Sequence, residues 1–262
     1  MNNELVLVVG DCHVSNNQSL DRFRWLGKLI AETRPDHIVL IGDFLTLNSL
    51  SAWDRNKRMN MENKRYFLEI DAGREALSLL QHDMTMLRAR QKLNKKRLYN
   101  PSLVYVVGNH EDRLTRYLET DPTFDGHVSV QKDLHLAEDN WVWVPYRSSH
   151  SIRGIDFTHV PHNKAKPITG MDINKKCSDV TINSTVYGHT HEAHFSNHRR
   201  HGQNTNQHVL NCGCFFPEDQ DEDYCDGRIK NYWRGVMLMD IYDQGMFDIS
   251  TVSMTSLENN YG

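Results

Sequence analysis

The sequence predicts an α/β fold built around a largely parallel β-sheet. Three apolar, β-branched runs each stop at a glycine: Val6 to Val9 before Gly10, His37 to Ile41 before Gly42, and Leu103 to Val107 before Gly108. An amphipathic stretch separates the first two runs, the order expected of a β-α-β unit with a right-handed crossover. Polar side chains suited to a ligand site follow each glycine directly. Open α/β sheets put such sites at the carboxyl ends of their strands.

The elements follow in order. Leu5 to Val9 reads as a buried first strand, too short and too poorly flanked by basic residues for a secretory signal. Ser19 can cap a helix whose apolar positions Leu20, Phe23, Leu26, Leu29 and Ile30 keep helical spacing, and Arg34-Pro35 ends it. His37 to Ile41 is the second strand. The stretch from about 48 to 98 lacks proline, has almost no glycine and reads as a helical insert. Its stripe Leu77, Leu80, Met84 and Leu87 packs on the domain. Its basic residues include Arg55, Lys57, Arg58, Lys64, Arg65, Arg88, Arg90, Lys92, Lys95, Lys96 and Arg97, a solvated flank by default. Pro101 closes the insert, Leu103 to Val107 is the third strand, and a short helix runs from Asp112 to Glu119. Six further runs are expected to form a second sheet: Trp141 to Tyr146, Ile155 to Thr158, Thr185 to Tyr187, Val209 to Asn211, Val236 to Ile241 and Phe247 to Val252. No repeat or linker divides the chain, so one domain over 1–262 is expected.

Composition narrows the function. The net charge of −4 gives no global attraction to nucleic acid. The five cysteines (Cys12, Cys177, Cys212, Cys214 and Cys225) are odd in number and irregularly spaced, which points to reduced thiols and a cytoplasmic protein rather than a disulfide framework. No run approaches a membrane span. Fifteen histidines are many, and several follow apolar strands where a surface histidine is less expected.

Four strings carry the chemistry. Asp11-Cys12-His13 places a carboxylate and an imidazole two residues apart, on one side of an extended chain. Together they form half a site for a borderline metal such as Zn, Fe or Mn. Gly42-Asp43 ends with a carboxylate whose two oxygens can bridge two cations. Gly108-Asn109-His110-Glu111 supplies a neutral carbonyl ligand in Asn109, which limits the repulsion of an anionic phosphate, and a candidate acid in His110. Gly188-His189-Thr190-His191 adds two imidazoles that can serve different metals. Any one string has an ordinary explanation; all four at successive strand ends are poorly explained as core filling.

These strings, in this order and with His159 between the third and fourth, resemble the motifs of the calcineurin-like metallophosphoesterases over about residues 5 to 250. The resemblance implies a four-layer α/β/β/α sandwich of two mixed β-sheets, with a dimetal centre at the strand C-terminal ends. It implies one divalent cation held by Asp11, His13, Asp43 and His191. The second would take Asp43, Asn109, His159 and His189, with Asp43 bridging and His110 contacting the phosphate and assisting the leaving group. Mn, Fe, Zn and Ni all suit such ligands, with Mn expected to support activity in vitro. Asn211-Cys212-Gly213 sits where the family carries an Asn-x-Gly turn. His162 competes with His159, but the strand Ile155 to Thr158 leads into His159. His135, His150 and His194 take surface or supporting roles.

The expected reaction is phosphoester hydrolysis by a hydroxide bridging the two cations, with charge on phosphorus neutralised by the cations, His110 and a nearby arginine. Arg113 is the candidate for substrate binding, set equally against an ordinary helix residue paired with Glu111 or Asp112.

Protein serine/threonine phosphatases place an aspartate three residues after the metal aspartate, where it orients the catalytic histidine. Here that position is Thr46, which counts against a protein phosphatase and leaves the partner of His110 open. Small phosphodiesters, phosphomonoesters or nucleotides are the expected substrates. A DNA or RNA nuclease is the alternative, reached through the basic helical insert, though the chain ending at Gly262 leaves no room for a full DNA-binding cap. The acidic run Glu218, Asp219, Asp221, Glu222 and Asp223 would repel a long polyanion if it overhung the site. Trp53, Phe215, Phe216 and Trp233 can stack a base, although packing is their ordinary role. A metal-stabilised scaffold without catalysis is the non-enzymatic reading. It gives no reason to keep His110. Oligomeric state is left open.

Overall fold

The computed structural model describes residues 3–52, 61–62, 64–199, 206–218 and 231–262. Trp53, Arg55, Lys57, Arg58, Asp219, Asp221, Glu222, Asp223 and Cys225, on which part of the sequence reading rests, lie outside the described residues.

The first half contains β1 (Glu4–Val9), α1 (Asp21–Thr33), β2 (His37–Leu40), α2 (Tyr66–Leu93), β3 (Ser102–Val106), α3 (Asp112–Thr120), α4 (Val130–Asp133) and β4 (Trp141–Val144). Next come β5 (His150–Ile152), β6 (Ile155–Phe157), the short pair β7 (His162–Asn163) and β8 (Lys166–Pro167), α5 (Ile173–Val180), β9 (Ser184–Tyr187) and β10 (Ala193–Arg199). β11 (Asn206–Cys212), β12 (Gly235–Ile241), β13 (Phe247–Ser253) and α6 (Met254–Tyr261) complete the order.

Two sheets dominate. One has the order β13-β12-β1-β2-β3-β4; the other has the order β10-β11-β9-β6-β5. β1 to β4 run parallel, while β12 and β13 extend the same sheet antiparallel, with Val9 opposite Val236. The runs at 141–146, 236–241 and 247–252 therefore belong to the first sheet, not the second as their sequence order suggested. Apolar alternation marks a strand, but only backbone pairing selects its neighbour.

The strand pleat sorts the core into layers. Leu7, Val9, Ile38, Leu40, Leu103 and Tyr105 face α1 and α2 in one buried cluster. The alternate residues Val6, Val8, Val39, Ile41, Val104 and Val106 meet Ile155, Phe157, Val186 and Leu210 of the second sheet in another. Behind that sheet, Cys177 of α5 packs with Tyr187 and Val209. The result is the α/β/β/α sandwich.

α1 buries Phe23, Leu26, Leu29 and Ile30 on one face, each worth about 1.5–3 kcal/mol of transfer free energy. A Cβ at Gly27 would stand 2.9 Å from the carbonyl oxygen of Leu80, so glycine lets α2 lie close against α1. Leu20, not Ser19, occupies the cap position of α1, but the Ser19 hydroxyl still accepts from the first helical amide, that of Asp21, at 3.2 Å and donates to the Asp21 carboxylate. Arg34, at φ 51°, ends α1 in a left-handed turn before Pro35. The stretch from 48 to 98 is not helical throughout. Its described residues hold a 3-10 turn at Asn48–Leu50 and the long α2, whose last helical residue is Leu93. No helix among the described residues is long and apolar enough to cross a membrane.

Candidate metal centre

Five loops meet where the carboxyl ends of β1, β2, β3, β6 and β9 converge. Main-chain hydrogen bonds tie them together: Cys12 and His13 donate to the Asp43 carbonyl at 3.0 and 2.9 Å, Phe215 to Asp11 at 2.7 Å, and Gly188 to His159 at 3.0 Å. The loop after β1 and the loop after β2 thus act as one unit.

The side chains converge without extended geometry. His13, Asp43, His189 and His191 all have positive φ, between 45° and 73°. Non-glycine residues rarely adopt this region, and it is a form of strain concentrated at functional sites. The pleat-based reading of Asp11 and His13 reaches the right pairing by the wrong route: a left-handed turn, not a strand, brings His13 back beside Asp11. The motif glycines admit the same crowding. A Cβ at Gly108 would collide with the Asp43 carboxylate and amide, and one at Gly188 with the Asp11 carboxylate.

Three groups of donor atoms result: Asp11, His13 and His191; His13, Asp43 and His110; and Asp43, His159 and His189. Asp43 and His13 connect them. In the first group, His191 Nε2 is 3.1 Å from Asp11 Oδ2 and 3.2 Å from His13 Nε2. In the last, His159 Nε2 is 3.3 Å from Asp43 Oδ2 and 3.0 Å from Asn109 Oδ1. All seven sequence-predicted metal ligands are therefore brought together, and His159, 1% exposed, is the histidine in the cluster. Its competitor His162 folds back on the Val160 carbonyl and packs against Tyr146.

The donor set fits divalent cations. Two buried carboxylates face four imidazoles and a neutral amide, the O/N mixture that borderline metals prefer. Two imidazole nitrogens stand 3.2 Å apart beside a carboxylate, close enough for one cation to take all three. Burial holds the His13 pKa well below the usual histidine value, so it keeps a lone pair for a metal. For His159, burial also favours the neutral form, but the Asp43 and Asp11 carboxylates win and push its pKa up to about 9. That reversal reports a strongly negative field, one that draws cations.

His110 stands at the edge of this cluster, with Nε2 3.8 Å from Asp43 Oδ2. Its Nδ1–H donates to the Thr46 carbonyl at 2.7 Å, and its Nε2 accepts from Arg113 Nη2 at 3.1 Å. The ring is thus neutral with a defined tautomer. Burial, against the pull of Asp43 and with the push of Arg113, lowers its pKa to about 4. Arg113 pairs with neither Glu111 nor Asp112. Its Nη1 donates to the Thr46 carbonyl at 2.8 Å and to Asn48 Oδ1 at 3.0 Å.

Sequence reasoning missed the braces of the site. Glu111, 2% exposed, accepts from the amides of Asp43, Leu45 and Gly108 and from the Tyr105 hydroxyl. Burial and the Asp43 charge raise its pKa to about 7 against those bonds. Glu69 of α2, also 2% exposed, accepts from the Asn48 and Ser49 amides and the Ser49 hydroxyl, fixing the loop that holds Arg113. A glutamate inside an apolar helical stripe was the available signal for Glu69. Phe215 and Phe216, considered above for base stacking, are buried. Phe215 packs on Phe23, and Phe216 stands edge-on to His13 and His191.

Residues 5–193 match the family model described as "Calcineurin-like phosphoesterase". No curated protein sequence gives a significant match. Among solved structures, the chain is similar to a single-site mutant of Vps29 from Entamoeba histolytica (16% identity, 95% of this chain and 98% of that one, TM-score 0.40). It is also similar to the zinc complex of wild-type Vps29 from the same organism (14%, 95% and 99%, TM-score 0.38). A third similar structure is the nuclease MPE of Pseudomonas putida (14%, 90% and 84%, TM-score 0.36).

Proposed function

This chain belongs to the calcineurin-like phosphoesterase family, and on that premise we propose that it is a metal-dependent hydrolase of small phosphoesters or nucleotides. Asp11, His13, Asp43 and His191 would hold one divalent cation, and Asp43, Asn109, His159 and His189 the other. Two such cations supply Lewis acidity to the phosphoryl group and a water acidified towards neutral pH.

The observation that carries the reading is the shared Asp43 carboxylate. It stands in one donor group with His159 and His189 and in another with His13 and His110, and His13 in turn belongs to the group of Asp11 and His191. One side chain serving two adjacent sets is the arrangement a dinuclear phosphoesterase requires.

The protein's own groups do the rest. The His110 ring, locked by the Thr46 carbonyl, presents Nε2 to the space beside Asp43. A bound phosphoryl dianion raises the proton affinity of that nitrogen, so it can take a proton and hand it to the departing oxygen. Arg113 donates to the same Nε2 lone pair, so it must release that bond as Nε2 is protonated, and its guanidinium then offers positive charge to the phosphoryl oxygens.

The test is a screen of Mn, Zn, Ni and Fe against an aryl phosphomonoester, an aryl phosphodiester, a cyclic nucleotide and DNA, with metal content measured on the purified protein. Turnover supported by Mn, at about two ions per chain, is expected. Protein that binds two ions yet hydrolyses no phosphoester would leave only the scaffold reading.

A further inference from the structure

A cavity of about 420 Å³ opens beside the metal-ligand cluster, with Ser51, Asn109, Arg113, Arg116, Tyr117 and Thr120 in its wall. Its size lies in the range of small-molecule sites. Two wall residues also touch the centre: Asn109 Oδ1 lies 3.0 Å from His159 Nε2, and Arg113 Nη2 lies 3.1 Å from His110 Nε2. The cavity therefore adjoins the centre on the His110 side, where a departing oxygen would be protonated.

Arg116 is held for use there. Its Nε pairs with Asp112 Oδ2 at 3.2 Å and its Nη2 donates to the Asn109 carbonyl at 2.7 Å, which fixes the guanidinium plane. Nη1 has no hydrogen-bond partner among the described residues, and the side chain is 56% exposed. Arg113, by contrast, directs Nη1 to Thr46 and Asn48 and Nη2 to His110. The Tyr117 ring gives the rest of the wall a face for a sugar or base.

We propose that this cavity is the leaving-group subsite, taking phosphodiesters whose departing arm is a nucleoside carrying a further phosphate, which Arg116 binds. The inference rests on the hydrolase reading above and narrows its substrate class. Water adds to phosphorus, the P–O bond to the departing arm breaks, and that arm leaves as an alcohol with its terminal phosphate still attached. An aryl phosphomonoester carries no second phosphate for Arg116 to bind.

The experiment compares Mn-loaded wild-type protein with Arg116→Ala and with Thr120→Trp, which fills the cavity from an exposed helical position. Substrates are p-nitrophenyl phosphate, the dinucleoside phosphate TpT, and TpT bearing an additional 5′- or 3′-phosphate. Wild type should prefer one phosphorylated dinucleotide over TpT by about ten- to hundredfold in kcat/KM, the worth of one charged hydrogen-bonding contact. Both variants should lose most of that preference, while p-nitrophenyl phosphate turnover changes far less. Absence of any preference in wild type, or a preference that survives in both variants, overturns the subsite. If p-nitrophenyl phosphate and every dinucleotide are inert, the hydrolase reading fails instead. Titration with the phosphorothioate analogue of the phosphorylated dinucleotide then decides the subsite, since equal binding by wild type and Arg116→Ala rejects it.

Discussion

The backbone carbonyl of Thr46 lies 2.7 Å from Nδ1 of His110. Thr46 is the third residue after Asp43, the position at which protein serine/threonine phosphatases carry an orienting aspartate. Here the main chain supplies the acceptor instead. A carbonyl cannot be protonated or lost by a side-chain change, so the tautomer of His110 is fixed by the fold of the 43–48 loop. The same oxygen accepts from Arg113 Nη1 at 2.8 Å, which links the imidazole and the guanidinium as one unit.

His110→Ala should lower kcat by about 10²- to 10⁴-fold, the usual worth of a positioned acid. Because the seven proposed ligands are left in place, metal content should stay at the wild-type value. Steady-state kinetics alongside elemental analysis checks this. Loss of metal in the variant would make His110 a ligand and refute its assigned role.

Asp43→Ala should abolish binding of both cations, since its carboxylate groups with His159 and His189 on one side and with His13, a member of the Asp11 and His191 group, on the other. Metal per chain after dialysis is the measurement. Retention of one ion would show that the carboxylate serves one site only.

Glu111→Ala should destabilise the protein while leaving every proposed ligand side chain in place. Three buried amides, those of Asp43, Leu45 and Gly108, lose their acceptor. At about 1–3 kcal/mol for each buried unsatisfied group, the loss should reach about 3 kcal/mol or more. Urea denaturation in the presence of Mn reads it; an unchanged midpoint would mean that water replaces the carboxylate.

A pH-dependent effect is expected at the far end of the sheets. Glu4 of β1 accepts from Arg153 at 2.7 Å and pairs with His37 of β2 at 3.1 Å, and Arg153 also reaches Asp243. The Arg153 bond, against a smaller effect of burial, lowers the Glu4 pKa. A carboxylate whose pKa is depressed by folding contributes stability above its unfolded value near 4.5, and that stability fades as pH falls through the folded value. Glu4→Gln should therefore melt lower than wild type at pH 7, by an amount limited to that of a partly exposed ion pair. The difference should close as pH drops below 4.5. A gap in Tm that persists at pH 3 would assign the effect to packing rather than charge.

The sequence by itself determined the strands that lead into the site and the ligand types at their ends. β-branched runs closing at Gly10, Gly42 and Gly108 encode buried parallel strands locally, and Asp11, Asp43, Asn109, His159 and His189 follow within three residues of a strand end, with His191 one residue further on. That signal needs no knowledge of partners. Tertiary structure alone decided which sheet received β4, β12 and β13, because strand character is local whereas pairing is not. It also decided how His110 is held. Nothing in the letter Thr46 announces that its carbonyl points at an imidazole 64 residues away. The buried carboxylates Glu69 and Glu111 belong to the same class. Their role is to accept amide protons from distant loops, and which amides lack a partner is settled only once those loops have turned, the one after β2 through left-handed backbone at Asp43.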